Sequence, residues 1–369
     1  MGRRVDIYLV EMKLVSAFEI SSGVTERRQG VIVRVEDGGV EGWGEAPADS
    51  KPFYSYETSE TAFYVLREFL AQPLLEAEGP EDFMKRVEKV RGHQMAKAGA
   101  EMALWDLEAK KRKQPLWKLL GGVRDEIESG VSIGIQKDVS ELLKIISHYL
   151  DEGYKRVKLK IKPGWDHNVL SAVRKEYPDI MLQVDANAAY KLQDWPSLKK
   201  LDEFDLLMIE QPLDYDDLLD HSILAKMMRT PICLDESIKK PEDAHKAYRL
   251  GSCSVINVKP ARVGGLLNAK LIHDFCESVG MPIWIGGMLE TGIGRAHLVA
   301  AATLPNVKFP NDISASRRYY EEDVVEPPWE LTTRGTIRVP DSAGIGVDVL
   351  EERLKKHTLK SHSLQIGKS

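Results

Sequence analysis

The chain has 369 residues, 43% of them hydrophobic and 29% charged, with a formal net charge of −6. That length calls for one large domain or two of ordinary size around a substantial core, and the mild acidity removes any electrostatic case for nucleic acid or an anionic membrane. No run of 18 apolar residues exists, Asp6, Glu11 and Lys13 interrupt the N-terminus before a signal-like core can form, and Cys233, Cys253 and Cys276 show no CxxC spacing, so a cytoplasmic protein with reduced cysteines in its core is expected.

In chain order, "GVIVRVEDGGVEGWGEA" (30–46) predicts a strand, a turn at Asp37-Gly38-Gly39 and a second strand. "SYETSETAFYVLREFLAQPLL" and "HQMAKAGAEMALWDLEAKKRKQ" then carry apolar residues at helical spacing, so residues 1–124 read as an α+β capping domain. From 125 to 320 short apolar runs alternate with amphipathic helices. The runs are 131–135, 156–161, 180–186, 206–212, 231–237, 255–260, 282–287 and 307–312, and eight of them predict an α/β fold of the (β/α)8 TIM-barrel type. No GxGxxG follows the first run, which argues against an open dinucleotide-binding sheet. Residues 321–369 return to mixed texture and are expected to pack back on the barrel and the capping domain.

The run "KRVKLKIK" (155–162) alternates apolar residues with charge. In a barrel neither strand face meets water, so Val157, Leu159 and Ile161 are predicted to face the helices, and Lys158 and Lys160 the interior near the C-terminal mouth. Lys160, Asp185, Glu210, Asp235 and Lys259 follow one another at intervals of 25, 25, 25 and 24 residues. That is the length of a βα repeat, so the five side chains are predicted on adjacent strands at one height, where barrel enzymes hold their active sites.

Three carboxylates cannot converge unneutralised. A hard divalent cation resolves the conflict, and an all-oxygen site suits Mg²⁺, with Mn²⁺ able to substitute, better than Zn²⁺. Lys160 and Lys259 then flank the metal, and burial, the metal and a neighbouring ammonium are expected to lower their pKa toward that of a general base. Lys158 stands two residues from Lys160 to do this. Arg262, one turn past Lys259, either does the same there, starts a helix or meets a substrate carboxylate. A metal that binds a carboxylate, with a base on each face, removes the proton α to that carboxylate and stabilises the enediolate.

The strings "VKLKIKPGWD", "VDANAAY", "IEQPL", "LDES", "NVKPARVGG" and "GGMLETGIGRAH" occur in that order over nearly the whole chain. In them the sequence resembles the enolase superfamily, muconate-lactonizing subgroup. With "VSIGIQ", "EQPLDYDDLLDH" and "DISAS" it is most similar to the o-succinylbenzoate synthase / N-succinylamino acid racemase family. The resemblance implies Mg²⁺ on Asp185, Glu210 and Asp235, Lys160 and Lys259 as the acid/base pair, and Lys158 tuning Lys160. It further implies that the loop "AFEISSG" (17–23), with Phe18, and the segment 48–54 close over a succinyl side chain. Ser132, Asn187 and Gly287, Met288 and Glu290 of "GGMLE" would line the wall there. Ile20 and Leu298 depart from the family's wording near that side chain, and neither touches the metal or the bases.

Dehydration on the route to menaquinone and racemisation of an N-acylamino acid both fit these residues. Muconate cycloisomerase and dipeptide epimerase remain alternatives within the superfamily, and a catalytically silent barrel is the alternative outside it. The epimerase reading wants acidic residues near the eighth strand to hold a free ammonium, and that region reads Pro310-Asn311-Asp312. A small carboxylate bearing a succinyl group is the expected partner, with no nucleic acid and no membrane, and the chain is expected to form a homo-oligomer.

Overall fold

The computed structural model describes residues 2–21 and 23–365. The chain begins with an antiparallel meander of β1 (Arg4–Ile20), β2 (Gly23–Asp37) and β3 (Val40–Ala46). Asp37 pairs with Val40 across Gly38 (φ 63°) and Gly39 (φ 83°), two left-handed residues that match the twist of the strands they join. The long helix Gln94–Lys111 lies on β3. A Cβ at Gly42 would fall 2.1 Å from the Ala103 carbonyl oxygen, and one at Gly44 2.2 Å from that of Gly99, so glycine alone permits this approach. The helix is buried on nearly every side rather than on one stripe, because barrel elements cover the face that the sheet leaves free.

Seven parallel strands follow in sequence order: β4 (Gly130–Ile133), β5 (Arg156–Lys160), β6 (Met181–Asp185), β7 (Ile209–Glu210), β8 (Ile232–Leu234), β9 (Val255–Val258) and β10 (Ile283–Ile285). The eighth expected strand, 307–312, is not a regular one. Its backbone nevertheless bonds to both edges of the sheet, through Lys308 N to Ile283 O and Asp312 N to Ile285 O on one side and Gly130 N to Asn311 O on the other. Pro310, which has no N–H, breaks the ladder between them. Val157, Leu159 and Ile161 lie in one buried cluster with Val169, Leu170 and Val173 of the helix His167–Glu176. Inside the ring, Met208, Cys233, Val255 and Trp284 form a separate apolar plug, each two residues before a polar residue or at a strand centre. No helix among the described residues is long and apolar enough to cross a membrane.

The chain then returns to its beginning. After the helix Glu351–His357, strand β11 (Thr358–Gln365) pairs antiparallel with β1, Arg4 opposite Gln365. Two buried glutamates join the meander and its helix to the barrel at helix N-termini. Glu45 of β3 accepts from Thr291 N, Thr291 Oγ1 (2.6 Å) and Gly294 N, and Glu101 accepts from Leu266 N and Leu267 N at 2.8 Å each. Each satisfies amides that the helix itself cannot, and an anion there is favoured by the helix dipole.

Candidate active site

The mouth of the ring gathers the spaced residues. Asp185 closes β6, Glu210 closes β7, and Asp235 follows β8. All three are fully buried, and their ligand oxygens lie within 4.8 Å of one another. Each meets a different lysine: Lys160 Nζ is 2.5 Å from Asp185 Oδ2, Lys158 Nζ 2.9 Å from Glu210 Oε2, and Lys259 Nζ 2.8 Å from Asp235 Oδ2.

The charges shape one another's titration. Burial, with Asp185, pushes the Glu210 carboxyl up to about 7. Against burial, Lys160 and Lys158 hold Asp185 below its ordinary value, and Lys259 and Arg262 do the same for Asp235. The sequence led us to expect lowered lysines. Burial does act in that direction on Lys158 and Lys259, yet the carboxylates outweigh it and both stand above the ordinary value: Asp312, Glu210 and Asp185 raise Lys158, and Asp235 and Tyr54 raise Lys259.

On β5 the alternation runs one step deeper than the two lysines. Arg156, Lys158 and Lys160 all point inward and are buried. Asp312 joins the lower pair, 2.7 Å from Arg156 Nη2 and 2.6 Å from Lys158 Nζ, and both cations lie over the Trp284 ring at 5.1 and 4.9 Å. Gln183 and Asn257, two residues before Asp185 and Lys259 on the same strand faces, donate to Glu210 at 3.0 and 2.6 Å. The period of two could have found both residues, since each lies two positions before Asp185 or Lys259 on the same strand face, as Lys158 does before Lys160.

A cleft between the barrel mouth and the capping elements holds most of the expected contact residues. Phe18 and Ile20 from the tip of β1, Ser132, Asn187, Gly287 and Met288 line it beside Lys160 and Lys259. Ser132 Oγ is buried without a hydrogen-bond partner. Asn187 accepts from Lys160 Nζ through Oδ1 at 2.8 Å and donates through Nδ2 to Glu236 at 2.9 Å. The hairpin tip rests on the barrel, Glu19 O accepting from Ile135 N and Ser21 Oγ donating to Asn187 O; Ser22, within the expected loop, lies outside the described residues.

Two expected contacts are corrected. Glu290 does not line the cleft: its carboxylate folds back to accept from Met288 N at 2.7 Å, because the turn after β10 presents that amide to it. Arg262 does not reach the cleft either. It binds Asp235 Oδ1, Ile238 O and Asn257 O from behind, buried by the short helix Pro260–Val263 that it belongs to. Leu298 is buried in the helix Gly292–Ala302, away from the cleft, whereas Ile20 is in its wall. The expected segment 48–54 reaches the cleft through Asp49, Lys51 and Tyr54; Tyr54, given no role of its own from the sequence, donates to Asp235 Oδ1 at 2.9 Å, accepts from Lys259 Nζ at 3.2 Å, and places its ring 4.6 Å from that ammonium.

Comparison with known proteins agrees with this architecture. Residues 141–353 match the family described as enolase C-terminal domain-like, and residues 4–121 that described as mandelate racemase / muconate lactonizing enzyme, N-terminal domain. The chain is 50% identical over 353 residues to an o-succinylbenzoate synthase of Geobacillus stearothermophilus, covering 95% of this chain and 94% of that one. It is 46% identical over 356 residues to an N-succinylamino acid racemase of Thermus thermophilus, covering 96% of each. A crystal structure of an enolase-superfamily member from Listeria innocua superposes with a TM-score of 0.94 at 40% identity, covering 99% of both chains.

Proposed function

The chain is an enzyme of the enolase superfamily, and from that membership we propose that it removes the proton α to a carboxylate in a succinyl-bearing substrate, as an o-succinylbenzoate synthase, an N-succinylamino acid racemase, or both. The observation that carries this reading is the placement of two amines, Lys160 and Lys259, on strands four apart around the ring and at the wall of one cleft. A carbon held between them presents one face to each.

The donor set fits a divalent cation. It is all oxygen, fully buried and convergent, and burial together with Asp185 and Asp235 pushes Glu210 up to about 7, the sign of anionic crowding that a cation relieves. Asp185, Glu210 and Asp235 would hold Mg²⁺, and the ion would supply positive charge to the substrate's carboxylate oxygens as the α proton leaves.

The chain's own groups do the rest. Asp185 and Asp235, which hold these lysines as ammoniums here, would give their charge to the cation, and one lysine, then a free amine, takes the α proton into a new N–H bond and becomes an ammonium again. In racemisation the other lysine, already an ammonium, gives its proton to the opposite face of the same carbon, so the configuration inverts and one proton is exchanged for another. In dehydration of a β-hydroxy acid the first lysine returns its proton to the departing hydroxyl, the C–O bond breaks, and water leaves. Asn187 fixes the Lys160 ammonium through its Oδ1, and Lys158, held by three carboxylates, acts as a fixed positive charge beneath the site.

Asp312 supports an acylated amine over the free ammonium of a dipeptide. Its carboxylate is spent on Arg156 and Lys158, so it has no charge to offer a substrate cation. Proton NMR in deuterated buffer with Mg²⁺ tests the reading: an N-succinylamino acid should lose its α-proton signal within turnover times, and an unacylated dipeptide should not. Exchange with dipeptides and with neither an N-succinylamino acid nor dehydration of the hydroxy acid would overturn it.

A further inference from the structure

Two carboxylates stand side by side after β8, and only one of them takes part in the chemistry above. Asp235 turns to Lys259 and the triad. Glu236, the next residue, turns the other way: its Oε1 accepts from Asn187 Nδ2 at 2.9 Å, and Asn187 Oδ1 accepts in turn from Lys160 Nζ at 2.8 Å. Glu236 is 6% exposed, and its Oε2 has no hydrogen-bond partner. Burying a carboxylate with one oxygen unpaired costs the fold stability, so its place at the mouth calls for a reason other than packing.

The backbone on both sides is built around this link. Asn187 (φ 42°) and Ala188 (φ 61°) are consecutive left-handed residues, and a run of two without glycine is uncommon. The turn is held by Asn187 N, which donates to Asp185 Oδ1 at 2.9 Å, and by Ala188 N, which donates to Gln211 O at 2.9 Å. It lays the Asn187 amide between Lys160 and Glu236. Opposite it, Gln211 Oε1 accepts from both Asp235 N and Ser237 N, at 3.0 and 3.3 Å, and so pins the turn that carries Glu236 from either flank.

The chemistry of an amide decides what the link does. A side-chain amide has one accepting end and one donating end, and either could be turned to Lys160. Glu236 accepts, so it takes the donating end and leaves the oxygen for the lysine. The orientation matters when Lys160 is a free amine, with two N–H bonds and one lone pair. An oxygen facing it takes an N–H and leaves the lone pair for the substrate's carbon, whereas a nitrogen facing it would donate to the lone pair and occupy it. Lys259 is held by Asp235 and the Tyr54 hydroxyl, neither of which bonds to Glu236. We propose that Glu236 is a positioning residue for one base of the pair: by fixing the Asn187 amide with its oxygen toward Lys160, it keeps that lysine's lone pair free for the substrate and does nothing of the kind for Lys259. The proposal deepens the two-base reading given above and rests on it.

Glu236→Leu removes the acceptor, and Glu236→Gln keeps one, its nitrogen then lying beside a space of about 30 Å³, shared with Ser55 and Gln94, that admits a water. Both lose the charge next to the triad, so a general electrostatic effect is common to the two and the hydrogen bond is not. Asn187→Gly removes the amide itself and suits the left-handed backbone. Circular dichroism verifies folding, and Glu236→Met, nearer glutamate in shape, takes the place of a leucine variant that does not fold. NMR in deuterated buffer with Mg²⁺ follows α-proton exchange of each enantiomer of an N-succinylamino acid, Lys160→Ala identifying the one that Lys160 serves. Glu236→Leu should slow that enantiomer about 10- to 100-fold relative to the other. Asn187→Gly should do the same, and the double variant should be no worse than either single one. Glu236→Gln should keep the ratio of the two rates near that of the wild type. Neutron diffraction from Mg²⁺-soaked crystals reads the link without turnover, because it tells amide oxygen from nitrogen: the Asn187 oxygen should face Lys160 in the wild type and in Glu236→Gln, and lose that single orientation in Glu236→Leu. Equal slowing of both enantiomers by Glu236→Leu, additive losses in the double variant, or a wild-type Asn187 orientation in Glu236→Leu crystals would overturn the proposal. A wild type that exchanges neither enantiomer would overturn the chemistry instead, and the neutron structures alone would then decide the link.

Discussion

Lys160 and Lys259 stand four strands apart in the ring and are tethered to opposite ends of one carboxylate triad, Lys160 Nζ to Asp185 Oδ2 at 2.5 Å and Lys259 Nζ to Asp235 Oδ2 at 2.8 Å. Each can therefore serve one face of a carbon between them. Lys160→Ala and Lys259→Ala should both lower racemisation of an N-succinylamino acid by at least about 10³-fold, while each still exchanges the α proton of one enantiomer, and not the same one, with solvent deuterium. NMR of separate enantiomers reads this directly. Near wild-type racemisation by either variant would end the two-base assignment.

Tyr54 touches only one of these lysines. Tyr54→Phe keeps the ring against the Lys259 ammonium but removes the hydroxyl that links it to Asp235. A hydrogen bond to a charged group is worth about 1.5–3 kcal/mol, so exchange on the face served by Lys259 should slow by about 10- to 100-fold while the Lys160 face changes little. Equal loss on both faces would mean that Tyr54 shapes the cleft as a whole.

Glu210→Gln should separate binding from folding. It removes one of three crowded charges, and the amide it introduces can face Asn257, whose buried Oδ1 has no partner and can turn to accept. Calorimetry should show Mg²⁺ binding lost and turnover should fall by at least about 10³-fold, whereas unfolding in EDTA should shift by no more than about 1–2 kcal/mol. A variant that remained active without Mg²⁺ would remove the metal from the reading.

Burial pushes the Glu101 carboxyl from its ordinary 4.5 up to about 7 at the seam between capping helix and barrel. A carboxyl raised on folding keeps its proton where the unfolded chain has lost it. Its contribution to stability is therefore full below about pH 4.5 and is lost as pH rises toward 7. Between pH 5 and 8 the unfolding free energy of Glu101→Gln, measured by denaturant titration, should fall by about 1–3 kcal/mol less than that of the wild type. Parallel curves would show that Glu101 is ionised throughout.

The barrel and its triad were legible because both leave a period in the chain. One inward residue per βα unit returns near every 25 positions, and inward residues on a strand return every second position, so Lys160, Asp185, Glu210, Asp235 and Lys259 announce themselves. Tyr54 does not, since it reaches Asp235 from 181 residues away and belongs to no repeat. Glu290 was misplaced because neighbours in sequence part company in a turn: Gly287 and Met288 face the cleft while Glu290 bends back on the backbone. The eighth strand read as one from its apolar residues, yet Pro310 limits it to scattered backbone bonds that still close the ring. Asp312 drew notice only as a missing acidic motif, because its role depends on Arg156 and Lys158, which lie about 155 residues away in the chain and reach it only when the ring closes beside the Gly130 strand.

The pairing of β11 with β1 fixes an order of events during synthesis. The meander that shelters the cleft is made first, but its outer edge is covered by residues 358–365, which emerge only after the whole barrel. At about 5–20 residues per second, β1 waits on the order of a quarter of a minute to a minute with its hydrogen-bonding edge open. A nascent chain is thus obliged to keep that edge from pairing with a neighbour on the same message, and any product that stops short of residue 358 carries a finished barrel beneath a sheet that invites aggregation.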